Sequence, residues 1–339
     1  MRAIAGQIEH WLAAGESIAL ATVVWTEGSS PRPLGSRMAA TASGHLAGSV
    51  SGGCVEGDVL RQAQDVLAGE APRRLRYTAV DEGGWEVGLA CGGTIEVFLE
   101  PFTAIHRQLL GALQDQEFVA LATRLDGGGH LLAWPGDRLS GDRSLAPELM
   151  AFLGEELIPN SRAELKRRPE GDVFLEIFTR PPTLTIVGAV HIAVSLSTMA
   201  RALGFYVRVV DARRAFANRD HFPQVDELIV AWPQEALNPQ YLRAQDAVVV
   251  LTHEPKFDVP ALEGALRSPV GYIGLLGSRP TQEKRQSALE ERGFGKEDLA
   301  RIHGPVGLNL GGRQPSEIAL AILAEIIAVR NIGETTGPA

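Results

Sequence analysis

The chain has 339 residues, of which 45% are apolar and 22% charged, and a net charge of −9. That length suits two domains better than one core, and the composition is that of a soluble globular protein. The acidic balance argues against a nucleic-acid binder, which needs a basic face to displace counterions; the local basic run Lys166-Arg167-Arg168 reads more simply as a solvated loop, and no apolar run reaches the ~18 residues of a membrane span.

The first predicted elements belong to a mixed α+β half. The segment Met1 to Leu12 carries Glu9 and His10 and lacks a signal peptide's apolar core, so a cytoplasmic location is expected. Gln7 to Ala14 reads as a short helix and Ile18 to Trp25 as a buried, β-branched strand. Gly44 to Val50 reads as a second strand entering a glycine loop. A helix follows, with Val55, Val59, Leu60, Ala63, Val66 and Leu67 on one face and Gly69 just beyond its end. Strands are expected at 75–77 and 94–99, a helix at 105–113, a strand at 118–123, hairpin strands around Gly127-Gly128-Gly129, and a closing strand at 173–178. No internal repeat is evident.

Arg180-Pro181-Pro182 is the expected boundary, because two prolines stop a strand and stiffen a linker. The domains are therefore expected at 1–180 and 181–332, with 333–339 as a disordered tail. Beyond the boundary, short unbroken apolar runs at 184–187, 206–210, 228–230, 247–252 and 271–275 alternate with helix-length intervals. Such runs between helices predict a parallel, doubly wound, Rossmann-like α/β sheet covered on both faces. The last helix is expected from Pro315 to Val329.

Within Leu184 to Ala193, a strand, a turn at Gly188 and a helix follow one another as a dinucleotide-binding turn requires. Gly188 allows the turn, Ala193 allows close helix packing, and Asp211 ends the next strand at the distance of a ribose contact. The middle glycine that lets amides approach a pyrophosphate is here Val190. That leaves two readings: an altered nucleotide or pterin-phosphate site at a helix N-terminus, or a fold that has lost dinucleotide binding. His191 could donate to a phosphate or simply cap the helix. Ser278 and Arg279 are further phosphate-contact candidates in a loop at the same carboxyl ends, since arginine offers a forked donor pair.

The first half carries three glycine-rich segments: Glu27 to Met38, Ser49 to Asp58 and Gly88 to Thr94. Ser29, Ser30, Arg37, Ser51, Gly52, Gly53 and Glu56 are its cofactor-binding candidates. The second segment runs into a helix start, where amides and the helix dipole favour an anion and would lower the pKa of Cys54. Cys54 and Cys91 are the two cysteines of the chain, too few for a disulfide scaffold. They are open to three readings: buried structural thiols, a metal site for which two thiolates are too few, or a reactive, ligand-contacting pair, which their glycine-flanked turns favour.

Glu27-Gly-Ser-Ser-Pro-Arg-Pro33, Gly48-Ser-Val-Ser-Gly-Gly-Cys-Val-Glu-Gly57 and Gly88-Leu-Ala-Cys-Gly-Gly-Thr-Ile-Glu-Val97 closely resemble the N-terminal motifs of the xanthine dehydrogenase accessory family, of XdhC/CoxI type. Ile186 to Ala193, Leu251 to Lys256, Gly274 to Arg279 and Pro305 to Leu308 resemble its Rossmann part, so the likeness spans nearly the whole chain. It departs at Val190, where that family usually has glycine. The resemblance implies a factor that binds the molybdenum cofactor (molybdopterin), supports its sulfuration and delivers it to a molybdenum hydroxylase of xanthine dehydrogenase type, with a cysteine desulfurase as possible sulfur donor. It implies a carrier rather than a turnover enzyme. On this reading Cys54, with Cys91, touches molybdenum or assists sulfur transfer, amide nests hold the phosphate, and the second domain holds a nucleotide tail. A homodimer is expected by analogy alone. The alternative from the Rossmann-like half is an NAD(P)-dependent oxidoreductase, with His253 or Lys256 as its acid or base.

Overall fold

The computed structural model describes residues 1–78, 88–89, 92–154 and 162–332. The expected tail, 333–339, lies outside the described residues, as does Cys91. The chain divides into two compact units, Met1–Arg180 and Pro181–Ala339.

The first unit begins with helix α1 (Ala5–Ala13) and strands β1 (Ile18–Glu27), β2 (Arg37–Thr41) and β3 (Leu46–Gly48). Helix α2 (Glu56–Leu67) and strands β4 (Arg73–Tyr77) and β5 (Thr94–Pro101) follow. The same succession then recurs: α3 (Ala104–Gln114), β6 (Val119–Arg124), β7 (His130–Ala133), β8 (Leu139–Gly141), α4 (Ala146–Gly154), β9 (Arg162–Lys166) and β10 (Val173–Phe178). The two five-stranded sheets have the orders β3-β2-β1-β5-β4 and β8-β7-β6-β10-β9, the second being the first shifted by one set of strands. Every strand pair in both is antiparallel.

The registers match residue by residue. Thr22 faces Arg37 and Phe98, and Thr123 faces His130 and Phe174. Leu20 faces Glu100, and Leu121 faces Glu176. A Cβ added at Gly48 would meet the Arg37 carbonyl oxygen at 2.2 Å, and one at Gly141 would meet that of His130 at 2.2 Å, both glycines having positive φ. The first unit is therefore a tandem structural repeat, although no repeat is evident in the sequence. Hydrogen-bond register and small residues at close approaches persist where side-chain identity does not.

The repeats pack through equivalent faces. Val24, Phe98, Leu125 and Phe174 form a shared buried cluster. Around it stand two equivalent polar pairs, Arg37 with Glu176 at 2.5 Å and His130 with Glu100 at 2.8 Å. On the outer face of each sheet α2 or α4 buries an apolar stripe, with Val59, Ala63 and Val66 in one and Leu149 and Phe152 in the other.

Strand β2 was not expected, because Glu27 to Met38 reads as one long loop. Its residues are wholly buried, in a run too short to show a period.

The second unit comprises β11 (Thr183–Val187), α5 (His191–Ala202), β12 (Tyr206–Val210), β13 (Glu227–Ile229), α6 (Pro233–Ala236), β14 (Ala247–Val250) and α7 (Pro255–Leu266). It ends with β15 (Tyr272–Leu275), α8 (Arg279–Glu290), α9 (Lys296–Ala300), β16 (Ile302–His303) and α10 (Pro315–Ile332). The sheet is parallel throughout, in the order β13-β12-β11-β14-β15-β16. Counted from β11 this is 3-2-1-4-5-6, the Rossmann order, with its switch point between β11 and β14. Buried clusters cover both faces, as unbroken apolar strands require. The mixed N-terminal α+β half and the Rossmann-like sheet both agree with the sequence reading. The two-residue strand β16 is new, being too short to leave a pattern.

Candidate functional site

The three glycine-rich segments of the first unit meet around one apolar core. Val50, Val55 and Leu89 are buried in the same cluster as the stripe of α2. A Cβ on Gly93 would lie 2.3 Å from the Ser29 carbonyl oxygen, so the 27–30 turn packs directly on that backbone. Ser29 is exposed, and the Ser30 hydroxyl donates to the Arg32 carbonyl oxygen at 2.8 Å.

The Cys54 loop is organised by Glu56. Its Oε1 accepts from the Ser49 hydroxyl at 2.6 Å and from the amides of Val50 and Ser51 at 3.1 and 2.8 Å. Its Oε2 accepts from the Ser51 hydroxyl at 2.5 Å and from the Gly53 amide at 2.9 Å. The Gly52 amide donates to Ser49 Oγ, and the amides of Cys54 and Val55 donate to Ser51 Oγ. Burial works against the Glu56 charge, yet hydrogen bonds from Ser49 and Ser51 outweigh it and hold the carboxyl down to about 2.

Every amide from Val50 to Val55 thus has an acceptor within the loop. The expected nest for a cofactor phosphate is filled by the chain's own carboxylate, because Glu56 in the first helical turn competes for the same amides and dipole. Ser51 and Glu56 shape the loop, Gly52 and Gly53 supply its positive-φ turns, and Cys54 stands on it as an exposed free thiol. Arg37 also departs from expectation. It is 5% exposed and pairs with Glu176, which makes it a bond between the two repeats rather than a surface contact.

In the second unit Gly188, at φ +110°, makes the tight turn, and its amide donates to the Val210 carbonyl oxygen at 2.8 Å. A Cβ there would meet Thr252 Cγ2 at 2.7 Å. Val190 is the N-cap of α5 at φ −93°, an ordinary extended conformation, so glycine is not required for the backbone path. His191 is exposed at the first helical position, and Ala193 is wholly buried against the sheet.

Asp211 is not presented to a ribose. Its Oδ2 accepts from the Ala189 amide at 2.9 Å and Arg213 Nη2 at 2.8 Å, and its Oδ1 accepts from the Arg213 amide and Nε, both at 2.9 Å. Arg213 also donates to Glu254 at 3.1 Å. Its guanidinium lies 4.6 Å from the Phe216 ring centroid and 5.3 Å from that of Phe257, and Trp232 stacks on Phe257 at 4.8 Å. A planar cation of the chain thus takes up the carboxylate that the dinucleotide reading assigned to a ribose hydroxyl. The Asp-Ala-Arg spacing was the available signal, but whether an arginine turns back or outward is set by partners far along the chain, here Glu254 and Phe257.

Ser278 caps α8 from an exposed position, its Oγ 3.2 Å from Thr281 Oγ1. Arg279 lines a different feature, a cavity of about 1160 Å³ at the β15–β16 edge shared with Gln282, His303 and Glu325. There the Tyr272 hydroxyl and the Gly307 amide donate to Glu325 Oε2 at 2.5 and 2.7 Å. Among the described residues one group of side chains converges as metal ligands do, Glu100, His106 and His130, and the sequence reading missed it.

An antiparallel glycine-loop unit joined to a Rossmann sheet defines an XdhC-type protein. Residues 11–78 match the model of the XdhC and CoxI family, and residues 184–326 that of the XdhC Rossmann domain. The chain belongs to this family. It is 29% identical over 331 residues to a probable xanthine dehydrogenase subunit of Bacillus subtilis (strain 168), spanning 93% of this chain and 94% of that protein. It is 27% identical over 325 residues to the molybdenum cofactor insertion chaperone PaoD of Escherichia coli (strain K12), spanning 94% of this chain and 85% of that one. A crystal structure described as a xanthine dehydrogenase from Bacillus halodurans superposes with a TM-score of 0.79 at 27% identity, covering 98% and 97% of the two chains.

Proposed function

We propose that this chain is a maturation factor that receives the molybdenum cofactor and delivers it to a molybdenum hydroxylase of xanthine dehydrogenase type. The observation that carries the reading is the Cys54 loop: a free, exposed thiol on a rigid, internally satisfied turn, suited to a soft metal centre. The relative named as a molybdenum cofactor insertion chaperone supports it. On this proposal Cys54 contacts the molybdenum end of the cargo. Sulfuration of the cargo by a cysteine desulfurase while it is held here, and a role for Cys91, are further parts of the proposal.

With the loop amides taken up by Glu56, the phosphate end of the cargo must find donors other than Val50 to Val55. The second unit keeps three exposed candidates beyond strand ends, His191, Ser278 and Arg279. The dehydrogenase alternative loses support because Asp211 is already engaged by Arg213. The test is incubation of the purified chain with molybdenum cofactor, followed by gel filtration and pterin fluorescence, then activation of an apo-hydroxylase. Retained pterin and restored activity are expected. Pterin eluting free of the protein would refute the carrier reading.

A further inference from the structure

The two repeats of the first unit treat equivalent buried carboxylates differently. Glu176 is opposed by Arg37, a permanent cation. Its counterpart Glu100 is opposed by His130, at the position equivalent to Arg37, with Nε2 2.8 Å from Oε2. His106 of α3 adds a second imidazole, its Nε2 3.3 Å from Oε1. Glu100, His106 and His130 are all buried. An imidazole, unlike a guanidinium, is not a permanent cation, so Glu100 lacks the fixed counter-charge of its twin.

His130 Nε2 is buried and makes no hydrogen bond, although Glu100 Oε2 lies 2.8 Å away. One ligand atom from each of the three side chains lies within 4.8 Å of the other two. Two imidazole nitrogens and one carboxylate oxygen form a donor set for zinc and its first-row neighbours.

We propose that Glu100, His106 and His130 form a binding site for a divalent first-row cation, zinc in the first instance. The cation supplies the counter-charge that Arg37 supplies in the other repeat. It also clamps β5 of the first repeat to α3 and β7 of the second. Thr103 completes the arrangement: His106 Nδ1 lies 3.0 Å from its amide nitrogen and 3.1 Å from its Oγ1. In the metal-free ring Nδ1 accepts the Thr103 amide proton and Nε2 carries the ring proton. With the cation on Nε2, that proton moves to Nδ1, which then donates to Thr103 Oγ1 while the Thr103 amide gives up its bond to Nδ1, so the exchange releases no net proton.

The test uses the full-length chain, stripped with a chelator and dialysed against zinc, with metal content and melting temperature as readouts. About one equivalent of zinc and a raised melting temperature are expected. His130→Arg installs the residue found in the other repeat. It keeps Glu100 compensated and is expected to fold while binding zinc at least ~10-fold more weakly. His106→Gln is expected to weaken binding as well, and Cys54→Ser to leave it unchanged. The proposal is overturned if the wild-type chain takes up no zinc, if both histidine variants bind it as the wild type does, or if Cys54→Ser abolishes uptake.

Discussion

The Oε2 atom of Glu56 lies 2.5 Å from the hydroxyl of Ser51, and this pair closes the loop that carries Cys54. Replacing Glu56 with Ala leaves five donors without their acceptor, in a loop partly shielded from water. A loss of about 2 kcal/mol is expected, typical for hydrogen bonds to a charged group that are only partly replaced by water. Denaturant unfolding followed in the first unit measures it, and an unchanged midpoint would show that the loop does not depend on Glu56.

The same carboxylate makes stability pH-dependent. Its folded pKa, about 2, lies below the ordinary 4.5. The contribution is therefore present above the unfolded value and lost as pH falls from about 4.5 towards about 2. The stability gap between wild type and Glu56→Gln is expected to close across that window. A gap that stays constant there would contradict the assignment.

Cys54→Ala removes an exposed thiol. The unfolding free energy is expected to change by less than about 0.5 kcal/mol, whereas pterin retention and hydroxylase activation fall. If both activities persist, the thiol is not the contact.

Arg213→Ala strips the buried Asp211 carboxylate of its cation. A destabilisation of about 2 kcal/mol is expected, discounted from a fully buried pair because Arg213 is partly exposed. NADH is expected to give no saturable nicotinamide fluorescence change with the wild-type chain. A tight, saturable response would revive the oxidoreductase alternative.

Gly48→Ala and Gly141→Ala test the internal repeat. Each new methyl would press on an equivalent carbonyl oxygen at 2.2 Å, in a backbone conformation that suits glycine. Both are expected to cost roughly 2–3 kcal/mol and by similar amounts. If one is neutral while the other unfolds the unit, the two turns are not equivalent.

Much of the architecture was legible because it depends on local pattern. Unbroken apolar runs between helix-length intervals mark a parallel sheet wherever its strands end up, and Gly188 marks the turn after β11. The glycine segments announced a candidate site, and the structure shows Cys54 exposed on one of them. What could not be read was which partner each charged group would take. Arg37 and Glu176 lie 139 residues apart, and only the packing of one repeat on the other makes them a pair. Glu100, His106 and His130 reach one another from two strands and a helix, without a motif to announce them.

By itself, then, the sequence determined the two-part organisation, the Rossmann character of the second unit, the glycine loops and the family resemblance, all carried by period, turn chemistry and contiguous motifs. Only the tertiary structure decided that Glu56 fills the expected anion nest and that Arg213 takes up the Asp211 carboxylate expected to meet a ribose. It also revealed that the first unit repeats itself. These outcomes rest on contacts between distant segments and on hydrogen-bond register, and neither leaves a local trace in the order of residues.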